Sequence, residues 1–168
     1  MSSSNTVRDT PANQPQSREE LIQWIKVYQK EGDRSHGEIN DFDVSLIEDF
    51  SQIFVNNKTF NEPIHSWDVS NGTNFKGLFL GAKVFNQPIN DWCTKNVTNM
   101  QDCFNGALSF NQPLNNWDTS NVKTMYCMFR EALVFDKANI EGWYMKKNKN
   151  DGYMFVCQLV YPKEKKKF

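Results

Sequence analysis

No apolar run in the 168 residues approaches the ~18 that a membrane-spanning helix needs. The opening MSSSNTVRDTPANQPQ has no apolar core of a secretory leader, so we expect synthesis and residence inside the cell, either cytoplasmic or assembled into a particle. Charge of one sign is also missing. A formal net charge of -1 supplies no field to draw the chain to nucleic acid or an anionic membrane. The C-terminal KEKKK is too small a basic footprint to change that expectation.

Chemistry-bearing patterns are scarce. Cys93, Cys103, Cys127 and Cys157 form no CxxC pair and have no His pair nearby, which speaks against zinc. His36 and His65 are far apart with no partner motif, and no glycine-rich phosphate loop occurs. Asp43, Asp68 and Asp118 share one phase, but Cys93 interrupts the row and no calcium-binding glycine-aspartate loop is present. These absences predict no cofactor, no metal and no enzymatic activity.

What the chain does have is a period. Trp67, Trp92 and Trp117 are 25 residues apart, with Phe42 one unit earlier and Trp143 following at 26. Phe54, Phe79, Phe104 and Phe129 make a second register, and Phe60, Phe85, Phe110 and Phe135 a third. Ile39, Ile64, Ile89 and Leu114 add a fourth, and Phe50, Phe75, Met100 and Met125 a fifth. Units of this length cannot bury both apolar faces alone, so they must stack and share them. The expectation is an α/β repeat solenoid of about four coils, with an aromatic core.

Within a unit, Val97, Met100, Cys103, Phe104 and Ala107 follow the stripe of a short amphipathic helix. Ser120 and Asn121 would cap such a helix, and Gly81 and Gly106 would end it. In the other half, Pro63, Pro88 and Pro113 exclude helix and shorten any ladder, which predicts very short parallel strands, one near 114–118. The chain then divides into an arm over 1–16 expected to be disordered, a capping helix and linker over 17–36, the repeats over 37–139, a cap over 140–161 and a basic tail over 162–168. Ser17 and Glu20 make a capping box for the helix, whose stripe is Leu21, Trp24, Ile25 and Tyr28 and whose stop is Gly32. Asp151–Gly152 between two apolar runs predicts a closing β-hairpin.

The run FNQPLNNWDTSNVKTMYCMF resembles the 25-residue repeat of BspA-like surface proteins, also found in Mycoplasma lipoproteins and large DNA viruses. The resemblance covers about residues 37–145 and implies a leucine-rich-repeat-like fold, an interaction role and no catalytic residues. Cys93 and Lys95 stand where that pattern has Asp and Ser, and Gly72 where it has Val, so the coils around them should be less regular.

Function follows from what the repeat does not need. Trp67, Trp92, Trp117, Phe79, Phe104, Phe129, Phe85, Phe110 and Phe135 are read as core, and Asn61, Asn86 and Asn111 as turn amides that satisfy backbone groups. Cys103 falls on an apolar register and is read as a buried thiol; Cys127, one position off, could approach it across adjacent coils. Columns that vary between coils are free for recognition: Ser51, Lys76, Gln101, Tyr126 and, beside it, Val55, Leu80, Asn105, Arg130. Lys76, Gln101, Tyr126 and Arg130 are the candidate contacts for a protein partner, since Tyr and Arg are common interface anchors. The resulting expectation is a non-catalytic interaction scaffold, a structural component of a larger assembly such as a virion or a cell surface. The alternative is an adhesin-like module that binds glycan on exposed aromatics.

Overall fold

The computed structural model describes residues 11–143 and 154–155. Ser17 is extended and its hydroxyl accepts from the Glu20 N–H at 3.2 Å, so helix α1 runs Arg18–Glu31 until Gly32 turns left-handed at φ 66°. Leu21, Ile25 and Tyr28 face inward and are buried against the first coil. Residues ahead of the helix are held as well. Pro15 is buried, Asp43 N–H donates to the Asn13 carbonyl at 2.9 Å, and the Gln14 amide donates to the Asp43 carboxylate at 2.6 Å. The arm over 11–16 is therefore docked on the first coil, and residues 1–10 lie outside the described residues.

The expected α/β solenoid with its leucine-rich-repeat-like helices and strands is not what forms. Among the described residues there is one α-helix, α1, and two short 3-10 turns at Ile39–Asp41 and Lys137–Ile140. The repeat carries no strand, only isolated parallel bridges linking Asp49, Asn74, Asn99 and Thr124 in succession. Nor is there a strand near 114–118, where Trp117 N–H turns back to the Leu114 carbonyl at 3.0 Å.

The reason lies in where each backbone group goes. Over residues 75–82 the N–H groups of Leu78, Leu80 and Ala82 close turns on the carbonyls of Phe75, Gly77 and Phe79. The alternate N–H groups of Phe75, Gly77, Phe79 and Gly81 leave the coil for the carbonyls of Asn99, Gln101, Cys103 and Asn105, at 2.7–2.8 Å. An α-helix would turn every N–H beyond its first turn onto its own carbonyls and leave no alternating set to join the coils. A run of overlapping turns spends half of them on its neighbour, while keeping the same apolar positions inward.

Such a run needs a left-handed residue every fourth position. Gln52, Gly77, Asp102 and Cys127 take it at φ 54–59°, and Asn56, Gly81, Gly106 and Glu131 at φ 55–70°. Gly81 and Gly106 thus serve as turn corners instead of helix stops. Ser120 and Asn121 are not helix caps either: Ser120 N–H donates to Asp118 Oδ1 at 2.9 Å, and the Asn121 amide reaches the Lys95 carbonyl of the preceding coil at 2.7 Å.

The core is a set of aromatic files. Phe54, Phe79, Phe104 and Phe129 stack at 5.3–5.5 Å between ring centroids, and Phe60, Phe85, Phe110 and Phe135 at 5.9–6.0 Å. Within each coil the two files meet at 4.0–4.2 Å. Gly72, where Val97 and Val122 stand in the later coils, does not disturb this order. Its N–H closes the turn on Val69 at 2.8 Å, and the rings of Phe50 and Phe75 occupy the space a side chain would need.

At the far end, the residues expected to form the hairpin, with its turn at Asp151–Gly152, lie outside the described residues except for Trp143, Met154 and Phe155. Met154 accepts from the Phe129 N–H at 2.8 Å and Phe155 stacks on Phe129 at 5.5 Å, the spacing of the Phe54 file. This pair occupies the register of a further coil: Trp143 to Phe155 is 12 residues, as is Trp117 to Phe129.

Candidate interaction face

The turn run presents two side-chain columns on one lateral face, and its backbone is nearly the same in every coil. At Ser51, Lys76 and Gln101 the N–H is held by Oδ1 of the residue two earlier, at 2.9–3.1 Å. At Tyr126 the Thr124 hydroxyl takes that place at 3.4 Å. The carbonyls of Lys76, Gln101 and Tyr126 accept from Gln52, Gly77 and Asp102 at 2.8–3.0 Å. Between coils these main-chain groups pair with each other whatever side chain they carry, so side-chain identity can change while the ladder is kept.

Lys76 is exposed, and Gln101, Tyr126 and Arg130 are half-buried. Gln101 donates to Asp102 at 3.1 Å and Arg130 pairs with Glu131 at 3.2 Å, both within their own coil. The stack thus brings the four candidate residues onto one face: Tyr126 and Arg130 belong to the same turn run, and Gln101 and Lys76 lie one and two coils away.

Three and four residues after Arg130, Leu133 is 78% and Val134 54% exposed, which sequence reasoning missed. A signal was there: the column Lys58, Lys83, Leu108, Leu133 changes from cationic to apolar along the stack.

The other registers are placed elsewhere. Trp67, Trp92 and Trp117 are 2–3% exposed and stack at 6.3–6.4 Å, so none of them offers a sugar platform. Each indole N–H is satisfied by the carbonyl of Ile39, Ile64 or Ile89 in the preceding coil, at 2.7–3.1 Å. Phe79, Phe104, Phe85 and Phe110 are fully buried, Phe129 is 2% exposed, and Phe135 is half-buried at the end. Asn61, Asn86 and Asn111 accept through Oδ1 from the N–H of Asn86, Asn111 and Asp136, a ladder at 2.8–2.9 Å.

Asp43, Asp68 and Asp118 each cap a local turn through the N–H of Ser45, Ser70 and Ser120. Hydrogen bonding from Ser45 and Ser120 lowers the Asp43 and Asp118 carboxyls below the usual range. Cys93, in their column, is exposed. Cys103 is a fully buried free thiol whose pKa burial pushes well up, so it is inert as a nucleophile. Among the described residues no cluster of His, Cys, Asp or Glu is placed to hold a metal ion, and no helix is long and apolar enough to cross a membrane.

Stacked turn-built units with aromatic files define a repeat protein whose coils are joined by main-chain ladders. The chain belongs to the family described as Mycoplasma protein of unknown function, DUF285, whose profile matches residues 25–143 and again 85–162. The second match runs through Trp143, Met154 and Phe155, the residues in register with a further coil. No curated protein and no solved structure matches the chain.

Proposed function

We propose that the chain is a non-catalytic scaffold that binds another protein through the face carrying Lys76, Gln101, Tyr126 and Arg130. The observation that supports this reading most is the division of labour in the turn run. Backbone bonds repeat from coil to coil, while the outward columns change from Ser51 to Tyr126 and from Val55 to Arg130. Outward columns that change while the backbone bonds beneath them repeat are what a recognition surface requires. The Tyr126 and Arg130 end, flanked by exposed Leu133, is its centre.

The likeness of FNQPLNNWDTSNVKTMYCMF to BspA-like surface repeats supports an assembly role, as part of a cell surface or a virion. The glycan alternative loses its aromatic platform, because the tryptophan register is core.

Affinity capture from the native source with wild-type chain and a Tyr126→Ala/Arg130→Ala variant tests the reading. A partner recovered in stoichiometric amount, and held more than about tenfold more weakly by the variant at unchanged melting temperature, supports it. Equal recovery with both chains moves the site off this face. Recovery of the chain alone removes the protein-binding reading.

A further inference from the structure

The first coil ends the ladder, and its outward carbonyls differ from those of every later coil. The carbonyls of Leu78, Cys103 and Met128 accept from Phe54, Phe79 and Phe104 at 2.8–3.0 Å, and those of Leu80, Asn105 and Arg130 from Asn56, Gly81 and Gly106 at 2.7 Å. In the first coil the same positions are Ile53 and Val55, whose carbonyls accept nothing among the described residues. The neighbouring Ser51 carbonyl is capped instead by the Arg18 guanidinium, through Nε at 2.8 Å and Nη2 at 2.5 Å. Helix α1 covers the apolar end of the stack, but along this edge it stands off and leaves a groove of about 410 Å³.

Ile22, Ile25 and Val55 give the groove apolar walls, and Arg18 and Lys26 make it cationic. No carboxylate lines it; Glu19 pairs with Arg18 at 3.2 Å from outside. Asn57, whose amide is bonded to Gln29, is part of the same lining. An edge of unpaired carbonyls is a template for added main chain, and helical ligands cannot use it because their N–H groups are already engaged.

We propose that this groove takes a non-helical, acidic peptide segment of a partner protein, whose alternate N–H groups donate to the Ile53 and Val55 carbonyls while a carboxylate meets Lys26. The site is separate from Tyr126 and Arg130, at the other end of the stack, and it stands whether or not that face binds.

The probe is an array of fluorescein-labelled heptapeptides with Glu at alternate positions and Val, Leu, Ser or Gly between, titrated by anisotropy against the full-length chain. We expect selected peptides to bind. N-methylation of one alternate set of peptide nitrogens should weaken the best of them by about tenfold, and of the other set much less. Lys26→Glu should weaken binding several-fold, and Tyr126→Ala/Arg130→Ala should leave it unchanged. Absence of binding by every heptapeptide, equal effects of both methylation sets, or insensitivity to Lys26→Glu overturns the proposal. Binding that appears only after residues 1–10 are removed also overturns it, since the chain itself then fills the groove.

Discussion

Trp117 donates its indole N–H to the carbonyl of Ile89 at 2.9 Å, 28 residues earlier, while its ring lies flat against Trp92 at 6.3 Å. One side chain thus joins two coils by a buried hydrogen bond and by aromatic contact. Trp117→Phe keeps most of the contact and leaves the Ile89 carbonyl with only the Trp92 N–H at 3.3 Å, so it should cost about 0.5–1.5 kcal/mol. Trp117→Ala adds a cavity and should cost about 3–5 kcal/mol. Chemical denaturation measures both; a Phe variant as stable as wild type would show that the indole bond contributes nothing net.

Gly72 and Phe75 form a compensating pair. A Cβ at Gly72 would come 2.8 Å from the Phe75 ring and 3.1 Å from the Phe50 ring. Gly72→Val should therefore destabilise by about 1–3 kcal/mol through overpacking. Adding Phe75→Met, the residue type of Met100 and Met125, should return part of that loss, the contacts with the Val69 carbonyl at 2.9 Å and the Phe50 ring remaining. The double-mutant cycle reads the coupling directly, and additive effects would remove the explanation of Gly72.

The Asp118 carboxyl is held below its usual value of 3.8 by the Ser120 N–H, and Asp43 is lowered by its bonds to Ser45. A depressed folded-state pKa contributes stability above the unfolded value and loses it as pH falls through the folded one. The melting temperature should therefore decline as pH drops below about 4. Asp118→Asn retains an oxygen acceptor for Ser120 but cannot titrate, so its decline should be shallower; an identical acid profile would argue against this turn.

Thiol chemistry should divide by burial. Cys93 is exposed and Cys103 is buried with a raised pKa. Brief alkylation of the native chain followed by peptide mapping should label Cys93 and spare Cys103, which should react only in denaturant. Rapid native labelling of Cys103 would mean that the coil opens around it.

The period, the five apolar registers and the boundaries of α1 could be read from residue types alone. Aromatic side chains at one spacing have to stack somewhere, and Ser17, Glu20 and Gly32 bracket a helix by purely local chemistry. Secondary structure inside the repeat could not be read the same way. Val97, Met100, Cys103 and Phe104 satisfy a helical stripe, and a run of overlapping turns places the same four inward. What separates the two is the destination of alternate N–H groups, and that depends on the presence of a neighbouring coil 25 residues away.

The candidate face shows the same division. That Ser51, Lys76, Gln101 and Tyr126 vary was visible in the chain, because variation needs only a register to be noticed. That Leu133 is exposed, and that the Ile53 and Val55 carbonyls end the ladder without donors among the described residues, was not. Sequence alone determined that this protein repeats, which residues fill its core and where its capping helix begins and ends. Tertiary structure decided how the backbone is paired, because a main-chain donor has no sequence identity and finds its acceptor only when the coils are laid against each other.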